Sequence, residues 1–175
     1  MGRIKNFKRV KLVICVLISD LEIKQKLLYL LQSSFGEIDF ESELLDFNFT
    51  NYYDYEMGSP IYRFFLSFQE LVDPSFLAEI KVKTNEMEDI FSIKNQRKIN
   101  LDPGLIFLGK FILASTKDGS FRMPLSLGIY GEITLVYENK KYRNVELTYP
   151  DFQSEKYKEI LKKIREIYKI QMDLF

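Results

Sequence analysis

The run Leu12-Val13-Ile14-Cys15-Val16-Leu17-Ile18 has no polar interruption and is rich in β-branched residues. It predicts a central strand covered on both faces. Ser19 and Glu22 follow at capping-box spacing, ahead of a helix. Leu21, Leu28, Leu31 and Phe35 keep one face of that helix, and Gly36 supplies its stop. Ile38 and Phe40 then alternate with acids, as do Leu45, Phe47 and Phe49. The change of phase between the two sets predicts a bulge or a bend. Asn51 to Pro60 reads as a Tyr-rich loop and Ile61 to Phe68 as a second apolar strand. Asp73-Pro74 has the N-cap-then-Pro form of a helix start. The spacing of Phe76, Ile80, Met87 and Phe91 places a helix over 74–92.

Lys98 to Leu101 predicts a short strand before Asp102-Pro103-Gly104. The segment 105–115 fits either a helix opened by Asp102-Pro103 or a buried strand, because only Gly109 and Lys110 interrupt its apolar character. Met123 to Leu127, Ile129 to Tyr137 and Tyr142 to Tyr149 read as strands. The last two form a hairpin around Glu138-Asn139-Lys140-Lys141. Ser154 caps a closing helix whose stripe is Tyr157, Ile160, Leu161, Ile164, Ile167 and Tyr168. No repeat or linker interrupts the chain. These elements predict one α+β domain over 1–175. Its sheet is mixed and mostly antiparallel, with a ferredoxin-like opening order (βαββαβ). A C-terminal β-hairpin region and a closing C-terminal helix packed on the sheet complete it.

Length and composition then limit the chemistry. A chain of 175 residues buries about 70% of its unfolded surface, enough for a core without cross-links. There is no histidine and only one cysteine, Cys15. Ser-His-Asp triads, zinc centres, haem on a proximal His and iron–sulfur clusters are therefore excluded as cofactor or catalytic chemistry of one chain. Lys+Arg and Asp+Glu are both 25, which argues against general nucleic-acid binding. Arg3, Lys5, Lys8, Arg9 and Lys11 precede the first apolar run, but no cleavage site follows it. No run approaches a membrane span. The expected location is cytoplasmic, with no membrane partner.

The charge is uneven along the chain. Residues 3–11 hold five bases and no acid, whereas 37–56 hold seven acids and no base. Such runs usually face water. The acidic segment, with Tyr52, Tyr53 and Tyr55, is also a candidate surface for a protein partner.

No Walker A sequence and no G-x-G-x-x-G is present. Thr116-Lys117-Asp118 is like the guanine-reading T-K-x-D but lacks the spacer residue. Lys117 and Arg122 flank a Gly119-Ser120 turn and form a candidate anion site, Arg122 offering a fork and the turn offering backbone N–H groups. Asn85, Glu88, Asp102 and Glu132 are candidates for a polar cluster or for a hard cation such as Mg²⁺. Three functions follow as expectations. The first is a binding or regulatory module for an anionic, phosphate-bearing small molecule or nucleotide. The second is a metal-dependent enzyme acting on a phosphate ester. The third is a protein-interaction module using 37–56. No catalytic residue and no oligomeric state can be assigned from these patterns.

Several segments together carry a family resemblance. They are Ile38 to Glu43, Phe47 to Gly58, Asp73-Pro74 with Glu79-Ile80-Lys81 and Thr84-Asn85-Glu86, Asn100 to Gly104, Ala114 to Asp118, Gly128 to Leu135 and Thr148 to Phe152. Through them the chain resembles the DUF4416 family of bacterial proteins nearly end to end. The resemblance implies a small, cytoplasmic, bacterial protein and no particular activity.

Overall fold

The computed structural model describes residues 2–93 and 96–173. Nine strands form one sheet: β1 (Val10–Ile18), β2 (Ile38–Glu41), β3 (Leu45–Asp46), β4 (Tyr62–Val72), β5 (Ile99–Ile106), β6 (Lys110–Ser115), β7 (Arg122–Pro124), β8 (Tyr130–Glu138) and β9 (Lys141–Asn144). The helices are α1 (Lys24–Phe35), the short α2 (Asp54–Met57), α3 (Leu77–Ile90) and α4 (Glu155–Asp173). The strand order is β2-β4-β1-β5-β6-β8-β7. β3 also pairs with β4, and β9 with β8. The expectation of a mixed sheet is corrected: every ladder between these strands is antiparallel.

The apolar run of β1 is buried at all nine positions because both faces of the sheet are covered. Val10, Leu12, Ile14, Val16 and Ile18 pack with Leu27 and Leu31 of α1 and with Leu77, Ala78, Ile80 and Met87 of α3. Val13 and Cys15 pack on the opposite face with Phe65 and with Tyr157, Ile160, Leu161, Ile164 and Tyr168 of α4. Alternation along the strand feeds two cores, one per face. Within the closing stripe only Ile167 is half-buried. Among the described residues no helix is long and apolar enough to cross a membrane.

Three local expectations are revised, and the open choice over 105–115 is decided for strand. Asp20, not Ser19, caps the first helical turn, accepting from the Glu22 N–H at 3.0 Å; the Ser19 hydroxyl instead donates to the Met57 carbonyl at 2.7 Å. Lys11 does not belong to a solvated basic lead-in. It lies in β1, fully buried, and pairs with Asp39 and with Gln171 Oε1 at 2.8 Å. The segment 105–115 is a hairpin of strands turning at 107–109. Asp102-Pro103-Gly104 is neither turn nor helix start: β5 runs through it, fully paired with β1.

That last segment shapes the sheet. β5 pairs with β6 only over Gly104, Leu105 and Ile106. Pro103 has no N–H to give, and by the two-residue period it faces the same edge as Leu105. The ladder therefore ends at Gly104. A Cβ at Gly104 would stand 2.6 Å from the Phe111 ring and 2.7 Å from the Ile112 carbonyl, so only glycine lets the two strands close at this point. Beyond it β5 and β6 part, and the sheet is split between 99–103 and 114–115.

Candidate functional site

Helix α3 closes the back of this split. Lys81, Asn85 and Glu88 stand on one face at i, i+4 and i+7. Glu88 Oε1 accepts from the Leu101 N–H at 2.7 Å, and Lys81 Nζ donates to the Leu101 carbonyl at 2.8 Å. Two side chains thus take the place of the missing strand on the open edge of β5. Lys81 Nζ also lies 3.5 Å from Asp102 Oδ1 and 4.0 Å from Glu88 Oε1. Arg97 grips Glu56 with two bonds, at 2.6 and 2.7 Å, and donates to Glu88 Oε2 at 2.6 Å. Burial pushes the Glu88 carboxyl up, and Lys81, the Leu101 N–H and Arg97 offset only part of that.

In front of the split lies a cleft of about 680 Å³. One end is built around Arg63 of β4, which is 2% exposed. Its guanidinium stacks between Phe47 and Phe152, 5.4 and 5.8 Å from the ring centroids. Nη2 donates to Asp151 Oδ2 at 3.1 Å. Among the described residues Nε and Nη1 have no hydrogen-bond partner. Asp102 Oδ2 stands 3.6 Å from Nη1, too far to bond. The neighbouring Tyr157 hydroxyl is also unpartnered, and burial holds it up to about 12. Burial works against the Arg63 charge, but Asp151, Tyr157 and Asp102 outweigh it and hold the pKa above the ordinary value. Burial raises the Asp151 carboxyl, and the attraction of Arg63 offsets only part of the rise. The same desolvation raises the pKa of the buried Cys15 thiol, leaving it inert.

The other end is built on β8 and the loop before β7. Glu132 Oε2 accepts from Arg122 Nε at 2.7 Å, while its buried Oε1 has no partner among the described residues. Arg122 donates from Nη1 to the Lys117 carbonyl at 2.8 Å and from Nη2 to the Tyr149 hydroxyl. Lys117 Nζ sits 4.7 Å from the Tyr52 ring centroid and donates to the Tyr52 hydroxyl at 3.1 Å.

The structure brings Lys117, Asn85, Glu88, Asp102 and Glu132 to the lining of this one cleft. Arg122 stands beside the lining, all three of its nitrogens engaged within the protein. Of the N–H groups expected from the Gly119-Ser120 turn, that of Gly119 is taken by Asp118 Oδ1 at 2.7 Å. The acids face protein cations, and among the described residues no three of them cluster as metal ligands. Sequence reasoning missed Arg63, Lys81, Arg97 and Asp151. The lone charge in the apolar strand Tyr62-Arg63-Phe64-Phe65 was a readable signal. So was the helical spacing of Lys81 with Asn85 and Glu88.

No curated protein and no solved structure matches the chain. The family comparison does match: residues 8–168 of the 175 fit the domain of unknown function DUF4416, a span that holds every side chain of the cleft, and the chain belongs to that family.

Proposed function

We propose that the cleft binds a small anionic molecule, phosphate-bearing or a nucleotide, and that the protein is a binding or regulatory module of the bacterial cytoplasm. One observation carries this reading: a buried arginine lines a cleft of small-molecule size with two nitrogens unpartnered. Arginine presents a planar fork suited to phosphate or carboxylate. Lys81 and Lys117 add positive charge within the same lining. Asp151 and Glu88 are acids whose ionisation burial resists, and protonating either removes one negative charge from the lining. Arg122 acts here as a positioning residue for Glu132 and Tyr149. We read β2-β4-β1-β5 with α1 and α3 as a ferredoxin-like unit, the cleft opening at its outer strand.

The other two functions have less support. The carboxylates are engaged by Arg63, Lys81, Arg97 and Arg122, which disfavours a metal-dependent phosphoesterase using Mg²⁺. Four of the seven acids of 37–56 are matched, by Lys11, Lys24, Lys156 and Arg97, and Tyr52 belongs to the cleft. This disfavours a partner surface on that segment.

The test is thermal unfolding with inorganic pyrophosphate and with ribose 5-phosphate. An occupant at a hundred times its Kd adds about 2.7 kcal/mol, a rise of about 5–10 °C for a chain of this size. Arg63→Lys should abolish the rise. A melting temperature indifferent to both anions in the parent protein overturns the proposal.

A further inference from the structure

We infer that the occupant of the cleft carries, besides its anionic group, a flat ring with an N–H donor, the chemistry of a nucleoside monophosphate. This rests on the anion-site reading above and concerns the opposite end of the same cleft. The starting point is Glu132 Oε1, a carboxylate oxygen that is buried and without a partner on a residue lining the cleft. Native proteins rarely leave such an acceptor unpaired. The neighbouring cations cannot serve it. Arg122 has Nε on Oε2 and its other two nitrogens on Lys117 and Tyr149; Lys117 is held by Tyr52. The matching donor therefore comes from the occupant.

The walls at this end specify a flat group. Two tyrosines line it, each with a cation over its ring: Lys117 at 4.7 Å from the centroid of Tyr52 and Arg122 at 5.6 Å from that of Tyr149. Aromatic rings stack any planar base, and a carboxylate accepting from ring or exocyclic N–H groups adds selection for the base. The size of the cleft agrees. Arg63 and Glu132 belong to β4 and β8, with β1, β5 and β6 between them. Their side chains share the face that carries Phe65 and Leu113. The two backbones stand four strand positions apart across the opened β5–β6 gap, an ordinary spacing being about 4.8 Å, so a bare phosphate does not span both ends. A ring, a sugar and a phosphate in line can.

The experiment measures binding by calorimetry to the full chain with three probes: adenosine 5′-monophosphate, ribose 5-phosphate, and purine riboside 5′-monophosphate, which keeps the ring but has no N–H. Expected is binding of adenosine 5′-monophosphate at least tenfold tighter than of either other probe. Glu132→Gln keeps an acceptor for Arg122 and places an NH₂ where Oε1 stood. It should remove that tenfold advantage while leaving ribose 5-phosphate binding unchanged. Tyr52→Ala, at a largely exposed side chain, should weaken both ring-bearing probes and spare ribose 5-phosphate. If all three probes bind the parent equally, the ring and its donor are not read, and this inference falls while the anion site stands. If none binds, the anion site falls with it.

Discussion

Replacing Glu88 by Ala should destabilise the fold by about 3 kcal/mol. Glu88 is 3% exposed, and its Oε1 is the acceptor for the Leu101 N–H on the edge of β5 that β6 has left. Deleting it strands a buried N–H, at a cost of about 1–3 kcal/mol. It also removes a counter-charge from Lys81, itself 5% exposed, which keeps Asp102 at 3.5 Å. Breaking a buried pair from one side costs about 3–5 kcal/mol. Against this, the buried carboxyl resists ionisation, so its removal returns some desolvation energy; the net settles near the lower figure. Glu88→Gln keeps an acceptor for Leu101 and should cost only about 1–2 kcal/mol. Urea midpoints of the three proteins measure the difference, and hydrogen exchange at the Leu101 amide localises it. The Ala variant should also lose about 6–12 °C in melting temperature. If Ala costs no more than Gln, or if the Leu101 amide stays as protected as before, the side-chain replacement of the ladder is not what holds this edge.

Ile164 of α4 is fully buried in the second core, so Ile164→Ala should cost about 2–5 kcal/mol; an unchanged urea midpoint would show that α4 is peripheral. Asp151 has its pKa raised by burial, so the folded state holds its proton longer than the unfolded chain. Its contribution to stability is complete below about pH 4, its unfolded value, and is lost as pH rises through the folded pKa. Asp151→Asn lacks this loss and should gain stability relative to the parent between pH 4 and pH 7. Urea unfolding across that range checks the sign, and a difference that stays flat or falls with pH contradicts it.

Much of the scaffold was legible in the chain because burial periodicity is a local property. The unbroken run of β1 requires cover on both faces, and the stripe of α4 fits one of them. The Asp73-Pro74 start, with the Asp73 side chain accepting from the Ser75 N–H at 2.9 Å, and the Gly36 stop at φ +93° are local too. Local rules failed where a partner distant in sequence decided. Asp102-Pro103-Gly104 has turn chemistry, yet pairing with Cys15, Ile14 and Val13 keeps it extended. Ser19 has capping spacing, yet its hydroxyl goes to Met57.

The cleft belongs to the second kind. Composition alone excluded histidine and cysteine-cluster chemistry, and spacing brought forward Lys117, Asn85, Glu88, Asp102 and Glu132. That these share one lining depends on where the β5–β6 ladder stops, and that in turn depends on a proline facing the wrong edge and a glycine pressed against Phe111. Whether Arg122 offers its fork to a ligand or keeps it for Glu132 and Tyr149 is likewise a matter of strand register, Arg122 standing opposite Glu132. Sequence separation hides such contacts: Arg63 meets Asp151 across 88 residues, and only the folded sheet makes them neighbours.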